Sequence, residues 1–139
     1  MRRVICLMVG IFLIVGLTGC GSSSTPLTGA DMDAVLAFSE AKTDNLLAGM
    51  NAGNYALFSQ DFDTDMAKAM TQSEFDKLKA DRDAKLGLYV SRQVDSVVQA
   101  GDFYSVIYTA VFEKDDAVVV RVVFRVADPH EVSGLWFNK

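Results

Sequence analysis

Asp61-Phe62-Asp63-Thr64-Asp65 sets three carboxylates at alternate positions, the spacing with which calcium loops begin. A twelve-residue calcium loop opened by Asp61 needs glycine at its sixth place and glutamate at its twelfth. Those places hold Met66 and Gln72, so the stretch reads as a charged helix end or a solvated turn, and no metal site is assigned. His130 is the sole histidine; it follows Asp128-Pro129 beside Glu131 and reads as a surface residue. Tyr104 and Tyr108 share one face of a strand, where their hydroxyls can donate to a ligand oxygen. General acid–base work would also need a carboxyl buried deeply enough to raise its pKa. Asp95, Asp102 and Glu113 sit at or near strand ends, so no acid accompanies the tyrosines. Ser39 and Thr43 fall on the apolar side of a helix, where hydroxyls either face a cavity or bond back to the carbonyl four residues earlier. Ser39, Thr43, Tyr104 and Tyr108 are therefore the candidate pocket-lining residues. No catalytic residue and no cofactor is assigned. No glycine-rich phosphate loop follows a strand, and Trp136 is expected to close the core.

Cys20 is reactive in another sense. Arg2 and Arg3 precede an apolar run from Val4 to Leu17. Fourteen helical residues reach about 21 Å, short of a hydrocarbon core of about 30 Å, so the run reads as a secretory signal rather than a span. Within it, Leu17-Thr18-Gly19-Cys20 resembles the lipobox of bacterial lipoproteins. That resemblance implies diacylglycerol on the Cys20 sulfur and cleavage just before it. Two or more acyl chains hold durably to a bilayer, since each buried methylene contributes about 0.8 kcal/mol. The expected organisation is a signal peptide over 1–19, a lipidated cysteine and flexible tether over 20–30, and a folded domain over 31–139. Export follows, with the domain outside the cytoplasm, lipid-anchored to the cell membrane or an outer membrane; Gly21 after the cysteine is compatible with the latter.

Removing Arg2 and Arg3 leaves 11 of the 13 basic residues against 18 acidic ones, a mature net charge of about −7. That balance argues against nucleic acid and against anionic headgroups as electrostatic partners. Of two cysteines, Cys6 leaves with the signal and Cys20 carries lipid, so packing alone must hold the fold. About 110 residues suffice for one core.

The elements that must position these residues change period midway. Asp31 to Met50 carries Met32, Val35, Leu36, Leu46, Leu47 and Met50 on one face, with Ser39 and Thr43 among them. Tyr55, Phe58 and Phe62 predict a short second helix after the break at Asn51 to Asn54. Thr71-Gln72-Ser73-Glu74 is a capping box opening a third, which Gly87 stops. Leu88 to Val98, Phe103 to Phe112, Ala117 to Val126 and Val132 to Phe137 then alternate as strands of an antiparallel meander. Val118, Val120, Val122, Phe124 and Val126 should face the helices. Val119, Arg121, Val123 and Arg125 form a mixed outer face, a candidate surface for a homodimer or a protein partner.

The expectation is an α+β fold: three N-terminal helices packed on a curved, mainly antiparallel, cone-like four-stranded sheet. Gly53-Asn54-Tyr55, Phe58, Phe62, Met66, Gly87 and the closing Gly134-Leu135-Trp136-Phe137 fall in an order that resembles the nuclear transport factor 2 superfamily, most closely an uncharacterised group of secreted lipoproteins within it. Branches of that superfamily bind small molecules or carry out isomerisation and dehydration in the pocket of the cone, but fold does not transfer activity. The functional expectation is a non-catalytic, lipid-anchored binding or interaction module for a small apolar ligand or a protein. Its alternatives are a small proton-transfer enzyme of the isomerase or dehydratase kind and a structural dimer of the envelope.

Overall fold

The computed structural model describes residues 23–138. Residues 1–22, on which the expected signal segment, the expected lipobox and Cys20 fall, lie outside the described residues, as does residue 139. Four helices precede four long strands: α1 (Gly29–Ala52), α2 (Tyr55–Ser59), α3 (Thr64–Ala69) and α4 (Gln72–Lys85), then β2 (Tyr89–Ala100), β3 (Phe103–Phe112), β4 (Asp115–Arg125) and β5 (Val132–Asn138). A short strand, β1 (Ser24–Leu27), comes before them all. The sheet is an antiparallel meander in the order β1-β2-β3-β4-β5 and is not closed.

Two elements correct the sequence reading. The expected flexible tether over 20–30 instead enters the sheet at Ser24, which pairs with Ala100, while Leu27 pairs with Val97. Serine, threonine and Pro26 conceal a strand in sequence, yet proline is tolerated on an edge where its missing N–H costs no ladder bond. The second helix stops at Ser59, so Phe62 lies beyond it in an isolated bridge with Val132. A separate α3 follows, started by Asp63, whose side chain accepts from the Met66 amide at 2.7 Å. Among the described residues four helices and five strands therefore stand where three and four were expected.

Local signals set the remaining boundaries. Gly53 ends α1 in the left-handed region (φ 65°), its N–H turned back to the carbonyls of Gly49 and Met50. Asn54 caps α2 through the Leu57 amide, and Thr71 caps α4 through the Glu74 amide. Inner positions of β4 (Val118, Val120, Val122 and Phe124) are fully buried, whereas Val119 and Arg121 are exposed. Val126 lies past the end of β4, half-buried, its N–H donating to the Asp102 carbonyl.

The core lies between that inner face and the helices. Leu46, Met50, Phe58, Phe75, Val97, Val106, Tyr108 and Phe124 are all essentially inaccessible. Trp136 is not part of it and remains 43% exposed. Its pairing with Arg121 in the β4–β5 register puts the indole on the outer face, with the Arg121 guanidinium 4.3 Å from the ring centroid. Val132 of β5 is part of the core, and Leu135 and Phe137, of opposite phase to Trp136, pack against it.

Candidate functional site

Both tyrosines point to the helix side of β3, but their surroundings differ. Tyr108 is completely buried. Its hydroxyl donates to Glu40 Oε1 at 2.7 Å and lies 3.2 Å from Thr43 Oγ1. Arg92, on the inner face of β2, sits 5.1 Å from the Tyr108 ring centroid. Its guanidinium donates to Glu40 Oε2 (3.0 Å), Asp44 Oδ1 (2.6 Å) and the Tyr89 hydroxyl (3.1 Å). Burial first, and the bond to Glu40 second, push the Tyr108 hydroxyl well above its ordinary range, while the bond with Thr43 opposes them. The cluster brings an acid and a phenol together, and each is the other's partner. No opening for a substrate lies between them at 2.7 Å.

The acid of this cluster, Glu40, escaped sequence reasoning. It lies three residues before Thr43 on α1, a spacing that puts the two side by side on a helix. Arg92 was detectable as a charge two residues before Val94 on the inward phase of β2. Ser39 is also fully buried, and its hydroxyl has no hydrogen-bond partner among the described residues.

Tyr104, by contrast, lines an open pocket of about 350 Å³. The pocket lies where the start of α1 meets β1, the β2–β3 end of the sheet and the loop before β5. Asp31, Val35, Phe38, Gln99, Tyr104 and His130 are among its walls. His130 corrects the surface reading: it is half-buried and stacked on Phe38 at 4.0 Å between centroids, with planes 14° apart. A backbone φ of 57° places it there, and its Nδ1 lies 3.1 Å from the Arg125 carbonyl. Because a carbonyl oxygen only accepts, Nδ1 carries the proton of that bond, and in the neutral ring the lone pair lies on Nε2. Lys42 pins the same loop by donating to the Pro129 carbonyl at 2.8 Å. Of the four sequence candidates, the structure thus brings Thr43 and Tyr108 together, sets Tyr104 in the pocket, and leaves Ser39 in neither.

Of the three spaced aspartates, Asp63 and Asp65 share Arg125 and Asp61 turns elsewhere. Asp61 accepts from Asn45 (2.9 Å) and lies 3.6 Å from Lys42. Asp63 is buried, accepting from Arg125 Nε (2.7 Å) and Ser133 Oγ (2.6 Å). Asp65 is exposed, 3.4 Å from Arg125. Burial alone would raise Asp63, but the bonds from Ser133, Met66 and Arg125, with the Arg125 charge, hold it below the usual carboxylate range. Among the described residues no three His, Cys, Asp or Glu converge as a metal site would require. No helix of the described residues is long and apolar enough to cross a membrane.

Fold and site together define a small α+β domain with a buried apolar core and a side pocket walled in part by aromatic rings. Residues 43–132, from the middle of α1 to the first residue of β5, match the family model described as "Protein of unknown function (DUF3887)". The chain belongs to that family. No curated protein and no solved structure matches it. The matched span includes Tyr104, Tyr108 and His130 and begins after Asp31, Phe38 and Glu40.

Proposed function

We propose that this chain is a lipid-anchored extracytoplasmic binding module, non-catalytic, whose ligand site is the pocket beside Phe38, Tyr104 and His130. The observation that carries this reading is the contrast between the two tyrosines. Tyr108 spends its hydroxyl on Glu40 inside the core. Tyr104, four residues earlier on the same face, borders open space. A proton-transfer reading would need the acid and the phenol to share a substrate atom, and here they saturate each other. The anchor rests on the signal architecture and on Leu17-Thr18-Gly19-Cys20. Helices leading into an antiparallel meander also support the finer kinship with the nuclear transport factor 2 superfamily.

Cys20→Ser tests the anchor. The variant should move from the membrane to the soluble fraction, and unchanged fractionation refutes lipid attachment. For the pocket, Phe38→Ala should abolish retention of any molecule that co-purifies with the wild type, and full retention refutes the site.

A second reading, a homodimer through the outer sheet face, has its own support. Phe103, Val119 and Trp136 are large exposed apolar residues on that face. A solution mass of twice the chain, reduced to one chain by Trp136→Ser, would establish it.

A further inference from the structure

We infer that the pocket recognises a small ligand carrying a primary ammonium group, an inference that rests on the binding-module reading above. Three rings build its wall. Phe38 and His130 stack face to face, and the Tyr104 centroid stands 6.1 Å from Phe38 and 6.4 Å from His130. Ring faces attract cations through their quadrupole. Asp31 contributes an exposed carboxylate, which only accepts. His130 commits Nδ1 to the Arg125 carbonyl, so the neutral ring has only the Nε2 lone pair left to offer. Gln99 and Tyr104 can each donate or accept and so suit either charge, and neither makes a side-chain hydrogen bond among the described residues. Among the described residues no lysine or arginine lines the pocket; Lys42, on the same helix, is tied to Pro129 and Asp61. A carboxylate or phosphate ligand would therefore meet the Asp31 carboxylate with no lysine or arginine beside it to balance the charge. An ammonium group meets that carboxylate, the Nε2 lone pair and aromatic rings.

The same chemistry has two sources, a free amine or the amine of a phospholipid headgroup. Leu27 lines the pocket and lies seven residues after Cys20, a reach of about 25 Å at full extension. A chain anchored at Cys20 would therefore hold this end of the sheet near the headgroups.

The test is a titration of the ¹⁵N-labelled full chain, followed at the amides of Phe38, Tyr104 and His130. The probes are ethanolamine, n-propanol as a neutral match in size, vesicles of phosphatidylcholine, and the same vesicles containing phosphatidylethanolamine. Saturable shifts with ethanolamine, or with the phosphatidylethanolamine vesicles alone, support the inference and identify the free or the lipid amine respectively. Asp31→Asn should weaken the response at least tenfold. Its side chain is exposed at a helix start, so the variant should keep the wild-type spectrum elsewhere, and Phe38→Leu provides an independent loss. Equal shifts with propanol and ethanolamine overturn the ammonium inference and leave pocket binding standing. No response at these amides to any probe overturns the inference outright.

Discussion

Tyr108 and Glu40, 68 positions apart in the chain, meet across the helix–sheet boundary in a hydrogen bond of 2.7 Å. The phenol is fully buried, while the Glu40 side chain is 42% exposed and shared with Arg92. The bond therefore fastens α1 to β3 from the edge of the core. An acid beside a phenol is also the outline of a proton-transfer site, and here the same outline does structural work.

Tyr108 should resist ionisation well above the ordinary tyrosine range. Its folded pKa lies above the ordinary 10.0, so the stability it contributes is complete below pH 10 and declines above it, as the unfolded chain ionises and the folded one does not. A spectrophotometric titration at 295 nm should show one tyrosine silent until the protein unfolds. Tyr108→Phe should remove that late step and cost about 1–2 kcal/mol in urea denaturation, since Thr43 loses its buried partner. Four tyrosines titrating together near pH 10 in the folded protein would contradict the burial.

Asp63 should make the protein acid-sensitive. Its folded pKa lies below the ordinary 3.8, so its contribution is fully present above about pH 4 and drains away as pH falls through the folded value. Asp63→Asn should lower stability at pH 7 by about 2 kcal/mol, less than a fully buried ion pair because Arg125 is one-third exposed. It should also flatten the fall in stability below pH 4. An unchanged acid profile in the variant would show that Asp63 is not the group responsible.

Gly49→Ala should be among the most damaging single-methyl additions. A Cβ there would lie 2.6 Å from the Phe58 amide nitrogen and 2.8 Å from its Cα, backbone atoms that cannot swing aside. The cost should reach about 3 kcal/mol or more, as over-packing of a rigid contact demands. Wild-type thermal stability in the variant would mean that α1 and α2 do not cross this closely.

Gly134→Ala should report on the outer face without disturbing the core. The added methyl would overlap the Trp136 ring, the far end of a movable side chain. The indole must lift from the sheet and leave Arg121. The emission of this sole tryptophan should shift to the red, with a loss of stability of about 1 kcal/mol or less. An unshifted spectrum would contradict the stacked position.

Strong periodicity made the long elements legible. The Val118–Phe124 alternation announced an inward face of β4, and Thr71 with Glu74 announced the start of α4. Short elements were hidden because their signals are too few. Ser24–Leu27 is a strand only because the β2 edge offers it a ladder, and α3 has just six residues behind the Asp63 cap. Trp136 misled because apolarity alone does not set the phase of a strand; the register with Arg121 does. Within the site, Thr43 and Tyr108 were legible as inward polar groups. Glu40 was not, since an acid on a half-exposed helix position reads as solvated until a tyrosine 68 residues away reaches it. The stacking of His130 on Phe38 depends on a loop conformation that sequence spacing does not encode.

Native mass spectrometry of the protein extracted from its own membranes reads anchor and ligand in one measurement. The expected species is a chain that begins at a diacylglycerol-modified Cys20 and carries a small bound molecule, lost in Phe38→Ala while the lipid stays. An unmodified chain with its leader intact, or a lipidated chain whose bound molecule survives Phe38→Ala undiminished, would contradict that expectation.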